Sequence, residues 1–205
     1  MNGAILVLSG PSGAGKSTII HHASDKIGAY YFSISTTTRA PREGEIDGVD
    51  YYFVSHTEFE EDIKAGNFLE YATVHGNYYG TSLKPVDKAL NEGKLVIFDI
   101  DIQGHRLVQA KMSDRVTSAF ITPPSLKELE KRLYARSTDK NDVIEKRIKN
   151  AQEEIKAISE FDYIIINDKI EDASKQFITI AQAARLKQSH KALANFTLNW
   201  QNLQQ

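Results

Sequence analysis

Residues 10–17 read GPSGAGKS, with glycine at 10, 13 and 15 followed by Lys16 and Ser17, directly after an apolar run over residues 4–8. Glycines at this spacing let a short loop curl until several backbone N–H groups converge on one anion. A helix starting from the loop adds its unpaired first-turn amides and the positive end of its dipole. Between a strand and a helix, GxxxxGK[ST] is a phosphate-binding loop. The pattern predicts a nucleoside triphosphate cradled by Gly10, Pro11, Ser12, Gly13, Ala14, Gly15, Lys16, Ser17 and Thr18. Lys16 would reach the β- and γ-phosphates, and the Ser17 hydroxyl would take a Mg²⁺ position.

Such a loop serves NTPases and kinases alike, so other residues must choose. A guanine-reading [NT]KxD segment of switch GTPases is missing; Asp139 to Asp142 and Asn167 to Lys169 do not match it. Arg39 and Arg42 flank Pro41, which disfavours helix at Ala40 and keeps the segment extended. Paired guanidinium forks suit bidentate clamping of a phosphate. Asp99 closes the apolar run over 95–98, where an aspartate can hold Mg²⁺ through water beside Ser17. Asp101 is expected on the same face as Asp99, at the carboxyl end of that strand, where open α/β sheets bind ligands. Arg132 and Arg136 stand four apart and share a helix face, with Arg147 on the next helix. No Ser-His-Asp or HExxH arrangement occurs, and the six histidines have no metal-ligand spacing, so each is assigned to surface or packing.

Positioning these residues requires alternating elements. Runs at 5–8, 30–34, 95–98, 116–121 and 163–166 are rich in β-branched or aromatic residues, and most lack period-two alternation, as strands covered on both faces do. Helical patterns lie between them, which predicts an α/β fold with a parallel sheet core flanked by helices. The first helix should stop near Gly28. Thr57 with Glu60, and Ser125 with Glu128, fit the S/T-x-x-E capping box and predict helix starts. Leu126, Leu129 and Leu133 then form one apolar face, and Ile144, Ile148, Ala151, Ile155 and Ile158 another. Residues 35–82 interrupt the alternation and read as an inserted lobe; the polar stretch 134–142 reads as the tip of a helical lid. The tail after Arg185 is amphipathic, with Leu193, Phe196 and Trp200 apolar, and is expected to pack on the body or on a second subunit.

Bulk properties bound the reading. The 205 residues carry a net charge of −2, with 41% hydrophobic and 25% charged residues, ordinary for a soluble α/β domain and unlike a general nucleic-acid binder. Absence of cysteine excludes disulfides, thiolate metal sites and cysteine nucleophiles. The N-terminal apolar run is too short for a signal sequence or membrane span, so a cytoplasmic location is expected.

With these motifs in order, the chain resembles the guanylate kinases. The likeness runs from the phosphate loop through STTTRAPREGEIDGVDYYF, FLEYATVHGNYYGTS, VIFDIDIQG and the lid arginines to IIINDK, covering most of residues 4–170. It implies transfer of the γ-phosphoryl of ATP to GMP with Mg²⁺, giving ADP and GDP. It implies a core of 1–34, 83–124 and 160–205, a GMP-binding lobe of 35–82 and a lid of 125–159. Arg39, Arg42, Tyr51 and Tyr79 match positions holding the GMP phosphate; Tyr52 and Tyr78 read as packing neighbours. Ser35, Glu70 and Thr81 match guanine-reading positions: a carboxylate accepts from N1–H and the 2-amino group, and hydroxyls donate to O6. Asp101 resembles a further contact to the 2-amino edge, and Asn167 a position near the donor adenine, contacted largely through backbone. Lys16, Arg132, Arg136 and Arg147 take the catalytic positions. Ser137 stands where many relatives have glycine, a departure that bears on hinge flexibility. Expected partners are ATP and GMP, with dGMP left open, in a monomer or small homo-oligomer. Two alternatives remain at this point: a non-catalytic guanylate-kinase-like interaction module, and a kinase with AMP, UMP or a phosphorylated sugar as acceptor.

Overall fold

The computed structural model describes residues 3–135 and 141–202. In chain order the elements are β1 (Ala4–Ser9), α1 (Lys16–Ala23), β2 (Tyr30–Phe32), β3 (Thr36–Thr37), β4 (Tyr52–Phe53), α2 (His56–Lys64), β5 (Phe68–Val74), β6 (Asn77–Ser82) and α3 (Leu83–Asn91). There follow β7 (Leu95–Asp99), α4 (Ile102–Met112), β8 (Val116–Thr122), α5 (Leu126–Ala135), α6 (Asn141–Glu154), β9 (Tyr163–Ile166), α7 (Ile170–Leu186) and α8 (His190–Asn202).

All six residues of β1 are buried because the strand is central, in a five-stranded parallel sheet ordered β2-β7-β1-β8-β9. Its residues alternate between two cores. Leu6 and Leu8 join Ile97, Ile121 and Ile165 on one face, under Ile19 of α1 and Ala173, Phe177 and Ala181 of α7. Ile5 and Val7 join Val96, Phe98 and Val116 on the other, against Val86 and Leu90 of α3 and Val108 of α4. Burying each such side chain contributes about 1.5–3 kcal/mol, so continuous apolar strands suit this position. Register places Leu8 beside Asp99 on β7, while Ser9 lies beside Phe120 on β8; the phosphate loop therefore leaves the sheet between two carboxyl ends.

A second sheet, ordered β4-β3-β6-β5, is built entirely within the interruption expected at 35–82. Its β5–β6 hairpin turns over His75 (φ 50°) and Gly76 (φ 82°), two consecutive left-handed residues that match the twist of paired strands. Under it, Phe59 of α2 is buried, stacked 4.2 Å from Phe68 and 5.1 Å from Tyr78 between ring centroids, which gives Tyr78 the packing role expected.

Several sequence expectations shift in detail. Helix α1 ends at Ala23 and a 3₁₀ turn carries the chain to Lys26, before Gly28 takes φ 72°. The capping box of α2 is Ser55 with Glu58, two residues before the Thr57–Glu60 match, because Val54 must still donate to Thr37 O in the sheet. At α5, Ser125 Oγ accepts from Glu128 N at 3.2 Å, and the Glu128 carboxylate turns to Arg132. Leu129 and Leu133 are buried with Ile144 and Ala151, but Leu126 is 40% exposed. Beyond Glu154 the chain tightens into a 3₁₀ turn, so Ile155 and Ile158 do not extend the face of α6. The tail is helical as expected, yet Leu193, Phe196 and Trp200 are 50%, 68% and 58% exposed, so the body does not cover them. Among the described residues no helix is long and apolar enough to cross a membrane.

The revised cap position separates two variants. Ser55→Ala should lower unfolding free energy by about 1 kcal/mol, whereas Thr57→Ala should change it by less than about 0.5 kcal/mol. Urea denaturation of both checks this; equal losses would return the cap to Thr57.

Candidate active site

The phosphate loop is shaped by its glycines against three different walls. Gly10, Gly13 and Gly15 have φ of 136°, 92° and 89°. A Cβ on Gly10 would stand 2.0 Å from Ile121 O, an overlap no shift of side chains relieves. On Gly13 it would press on Leu133 at 3.0 Å and Leu129 at 3.2 Å, both from α5. Gly15 is the N-cap of α1, so the free amides of the first helical turn open onto the loop. Pro11, Ser12, Gly13, Gly15, Lys16, Ser17, Thr18 and Asp99 line a cavity of about 140 Å³ there.

Lys16 Nζ donates to Gly10 O at 2.6 Å and lies 3.7 Å from Asp99 Oδ1. Burial pushes the Asp99 carboxyl above its ordinary range, and the Lys16 charge pulls it back. Asp101 does not share the strand with Asp99. Strand pairing ends with Ile100 N donating to Leu8 O, and Asp101 then caps α4, its Oδ1 accepting from Gly104 N at 2.8 Å. Asp101 and Glu154 line one cavity of about 430 Å³ between α4 and the end of α6. Glu154 was not legible from sequence, where only the apolar residues of α6 carry a pattern. Its carboxyl is raised by burial, with Lys16 opposing and Asp101 reinforcing the shift.

On the second sheet, one face gathers the expected acceptor residues. Thr37 pairs with Tyr79 on β6 and Phe53 on β4, and the Tyr51 and Tyr79 rings meet edge-on at 6.1 Å. The Arg39 guanidinium lies 5.5 Å from the Tyr51 ring centroid and 5.8 Å from that of Phe53. Arg39 Nη2 donates to Glu45 Oε1 at 2.8 Å, and Arg42 N donates to Glu45 Oε2 at 2.7 Å. The Arg39 hydrogen bond is the largest influence holding the Glu45 carboxyl below its ordinary range. Arg39 Nε is buried without a partner among the described residues. Phe53 and Glu45 are thus part of the cluster although sequence spacing singled out neither. The Arg42 residue is exposed. Thr81 Oγ1 donates to Glu70 Oε1 at 2.7 Å, and Ser35 lies just before β3 with its carbonyl taken by Tyr52 N.

On α5, Arg132 Nε donates to Glu128 Oε1 at 2.9 Å, and on α6, Arg147 Nη1 donates to Ser12 Oγ at 3.1 Å, so α6 touches the phosphate loop. Arg136 lies outside the described residues. Asn167 is 7% exposed, and its side chain contacts the loop itself, Nδ2 donating to Ala14 O at 2.8 Å. The buried His105 stacks 4.1 Å from Phe161, consistent with a packing role, and the described residues contain no group of side chains arranged to hold a metal through His, Cys, Asp and Glu.

A parallel sheet that feeds a glycine loop into a helix N-terminus, with an inserted lobe presenting arginines and tyrosines, defines the P-loop kinase class. The guanylate kinase family model matches residues 2–184, and the chain belongs to that family. Over 201 residues it is 57% identical to a guanylate kinase of Sulfurimonas denitrificans, covering 98% of both chains. A guanylate kinase of Campylobacter jejuni is 46% identical over 201 residues, 98% of each chain. The crystal structure of guanylate kinase from Anaplasma phagocytophilum superposes with a TM-score of 0.65 at 35% identity, covering 91% of this chain and 88% of that one.

The Lys16–Asp99 pair gives a direct test of the loop's electrostatics. Lys16→Met removes the charge that offsets burial, so the Asp99 carboxyl should titrate higher still. Carbon-detected NMR of the labelled carboxyl measures it; an unmoved titration would mean that Lys16 does not act on Asp99.

Proposed function

We propose that this chain transfers the γ-phosphoryl group of ATP to GMP, releasing ADP and GDP. The observation that carries it is the pairing, in one chain, of an intact phosphate loop with a lobe joining an arginine–tyrosine cluster to the Glu70–Thr81 pair. An interaction module that had lost catalysis would have no need to keep both.

The core of 1–34, 83–124 and 160–205 binds ATP, 35–82 binds GMP, and 125–159 closes over both. Backbone N–H groups of residues 10–17 other than Pro11 cradle the donor phosphates, with Thr18 in the first turn of α1 and Asn167 beneath the loop. The cavity holding Ser17 and Asp99 offers hard oxygen donors, which suit Mg²⁺, Asp99 acting through water. Mg²⁺ held there supplies charge neutralisation to the donor phosphates. A GMP phosphate oxygen attacks the γ-phosphorus, and the bridging oxygen leaves with ADP. The nucleophile is already anionic, so positioning and charge neutralisation suffice and no strong base is required. Lys16 follows the transferring group. Arg132, Arg136 and Arg147 close over it, Arg132 exchanging Glu128 and Arg147 exchanging Ser12 for phosphate oxygens. Lys16→Met should lower kcat by at least about two orders of magnitude, as loss of a transition-state contact does; near-normal turnover in a coupled assay would remove the loop from the donor site.

The GMP phosphate falls to Arg39, Arg42, Tyr51 and Tyr79, and the base to Ser35, Glu70, Thr81 and Asp101. Thr81 spends its one hydroxyl hydrogen on Glu70. It therefore orients the carboxylate toward N1–H and the 2-amino group, leaving the donation to O6 to Ser35. Adenine offers a lone pair at N1 and no 2-amino group, so Glu70 facing it would be unpartnered. Wild-type kcat/KM should favour GMP over AMP by roughly 10⁴ or more, and Glu70→Gln should lose most GMP activity. Steady-state assays with both nucleotides test this. A Glu70→Gln enzyme with unchanged GMP activity and GMP/AMP ratio would mean that Glu70 does not read the base.

A further inference from the structure

Asn167 directly follows β9, where its own N–H donates to Thr122 O at 2.8 Å and continues the ladder that pairs Ile166 with Thr122. Its backbone is therefore fixed by the sheet. Its side chain is more than nine-tenths buried and gives Nδ2 to Ala14 O at 2.8 Å, in the middle of the phosphate loop. The fit is tight from the other side as well: a Cβ on Gly15 would stand 2.4 Å from Asn167 Nδ2.

In a planar trans peptide the carbonyl and the following N–H point in opposite directions. Holding the Ala14 carbonyl toward Asn167 therefore turns the Gly15 N–H the other way, toward the cavity lined by Gly13, Gly15 and Lys16. Glycine at 15 tolerates either sign of φ, so no Cβ there bars a flip of the Ala14–Gly15 peptide by about 180°. A flipped peptide would present a carbonyl oxygen, instead of an N–H, to an incoming phosphate.

We infer that Asn167 is a positioning residue that sets the Ala14–Gly15 peptide in its anion-binding orientation, and so acts on the phosphates of any nucleotide and not on the donor base. The inference rests on the phosphate loop being the donor site. An aspartate at 167 is nearly isosteric but can only accept, so it would repel the Ala14 carbonyl and favour the flipped peptide. An alanine merely leaves the peptide undecided.

The test uses the full chain, with tripolyphosphate as a probe that has phosphates and no base. Calorimetry of wild type, Asn167→Ala and Asn167→Asp is run with Mg²⁺-tripolyphosphate, Mg²⁺-ATP and GMP. Asn167→Ala should weaken tripolyphosphate and ATP by the same factor, about ten-fold for one well-placed hydrogen bond, and Asn167→Asp should weaken both further. GMP affinity should be unchanged in each, which also reports an intact fold. In steady state, kcat and the KM for ATP should move while the KM for GMP stays. If one variant fails to fold, the other still decides through the tripolyphosphate-to-ATP comparison. A loss confined to ATP would assign Asn167 to the base and overturn the inference, as would an aspartate variant binding tripolyphosphate like wild type. Tripolyphosphate binding does not depend on the acceptor, so a failure of the GMP assignment would leave this result standing.

Discussion

The close approach of Gly10 to the carbonyl of Ile121 is the contact on which the rest depends. Because β1 is the central strand, the loop leaving it must pass over the end of β8, and any side chain at that point would collide with backbone. Only after that passage can the chain curl back so that α1 points its N-terminus at the loop. The other two glycines then meet walls from far along the chain: Gly13 the leucines of α5, Gly15 the amide of Asn167. A loop with little stiffness of its own is thus held in one shape by the sheet, α5 and the residue after β9. Preorganised donors need no reorganisation when charge arrives, which is where electrostatic catalysis gains most.

The second sheet reaches the same end with side chains. Arg39 lies between two aromatic rings and Glu45, and the other Glu45 oxygen satisfies the Arg42 N–H. One carboxylate therefore fixes both a guanidinium and the backbone turn carrying a second. The two rings, tilted 55° to each other, offer π faces to the guanidinium, and a lysine at position 39 would lose the planar stacking. Such a pair at a partly exposed site adds little to folding stability. Its worth lies in reduced freedom of Arg39, an entropy that ligand binding no longer has to spend.

How far the sequence foretold this follows from what kind of physics each feature uses. The parallel sheet was legible in runs such as 95–98, since a strand buried on both faces is largely apolar. The phosphate loop was legible because its glycines answer to backbone geometry, fixed along the chain. Glu45, Phe53 and Glu154 were not, because each matters through a partner that only folding brings near, and a single carboxylate or phenylalanine has no period. The cap of α2 was misplaced by two residues because two serine or threonine sites fit one local rule and the β3–β4 pairing chose between them. The exposed apolar stripe of α8 shows the converse: amphipathic spacing predicts a helix reliably and says nothing about what covers it.

A net charge of −2 raises the question of how the chain attracts two polyanions. The described cations of the site answer it by their partners. Lys16 rests between Gly10 O and Asp99, Arg39 on Glu45, Arg132 on Glu128, and Arg147 reaches Ser12. Four bare cations gathered in one cleft would repel one another and favour an open, disordered arrangement. Pairing keeps each ordered and partly desolvated at modest cost. A phosphate oxygen replacing such a carboxylate, carbonyl or hydroxyl would meet a cation already ordered and partly desolvated. For this exchange to favour ligand, the incoming group must carry more negative charge than the one displaced. A phosphate dianion against a single carboxylate satisfies that condition, whereas a monoanion would only break even.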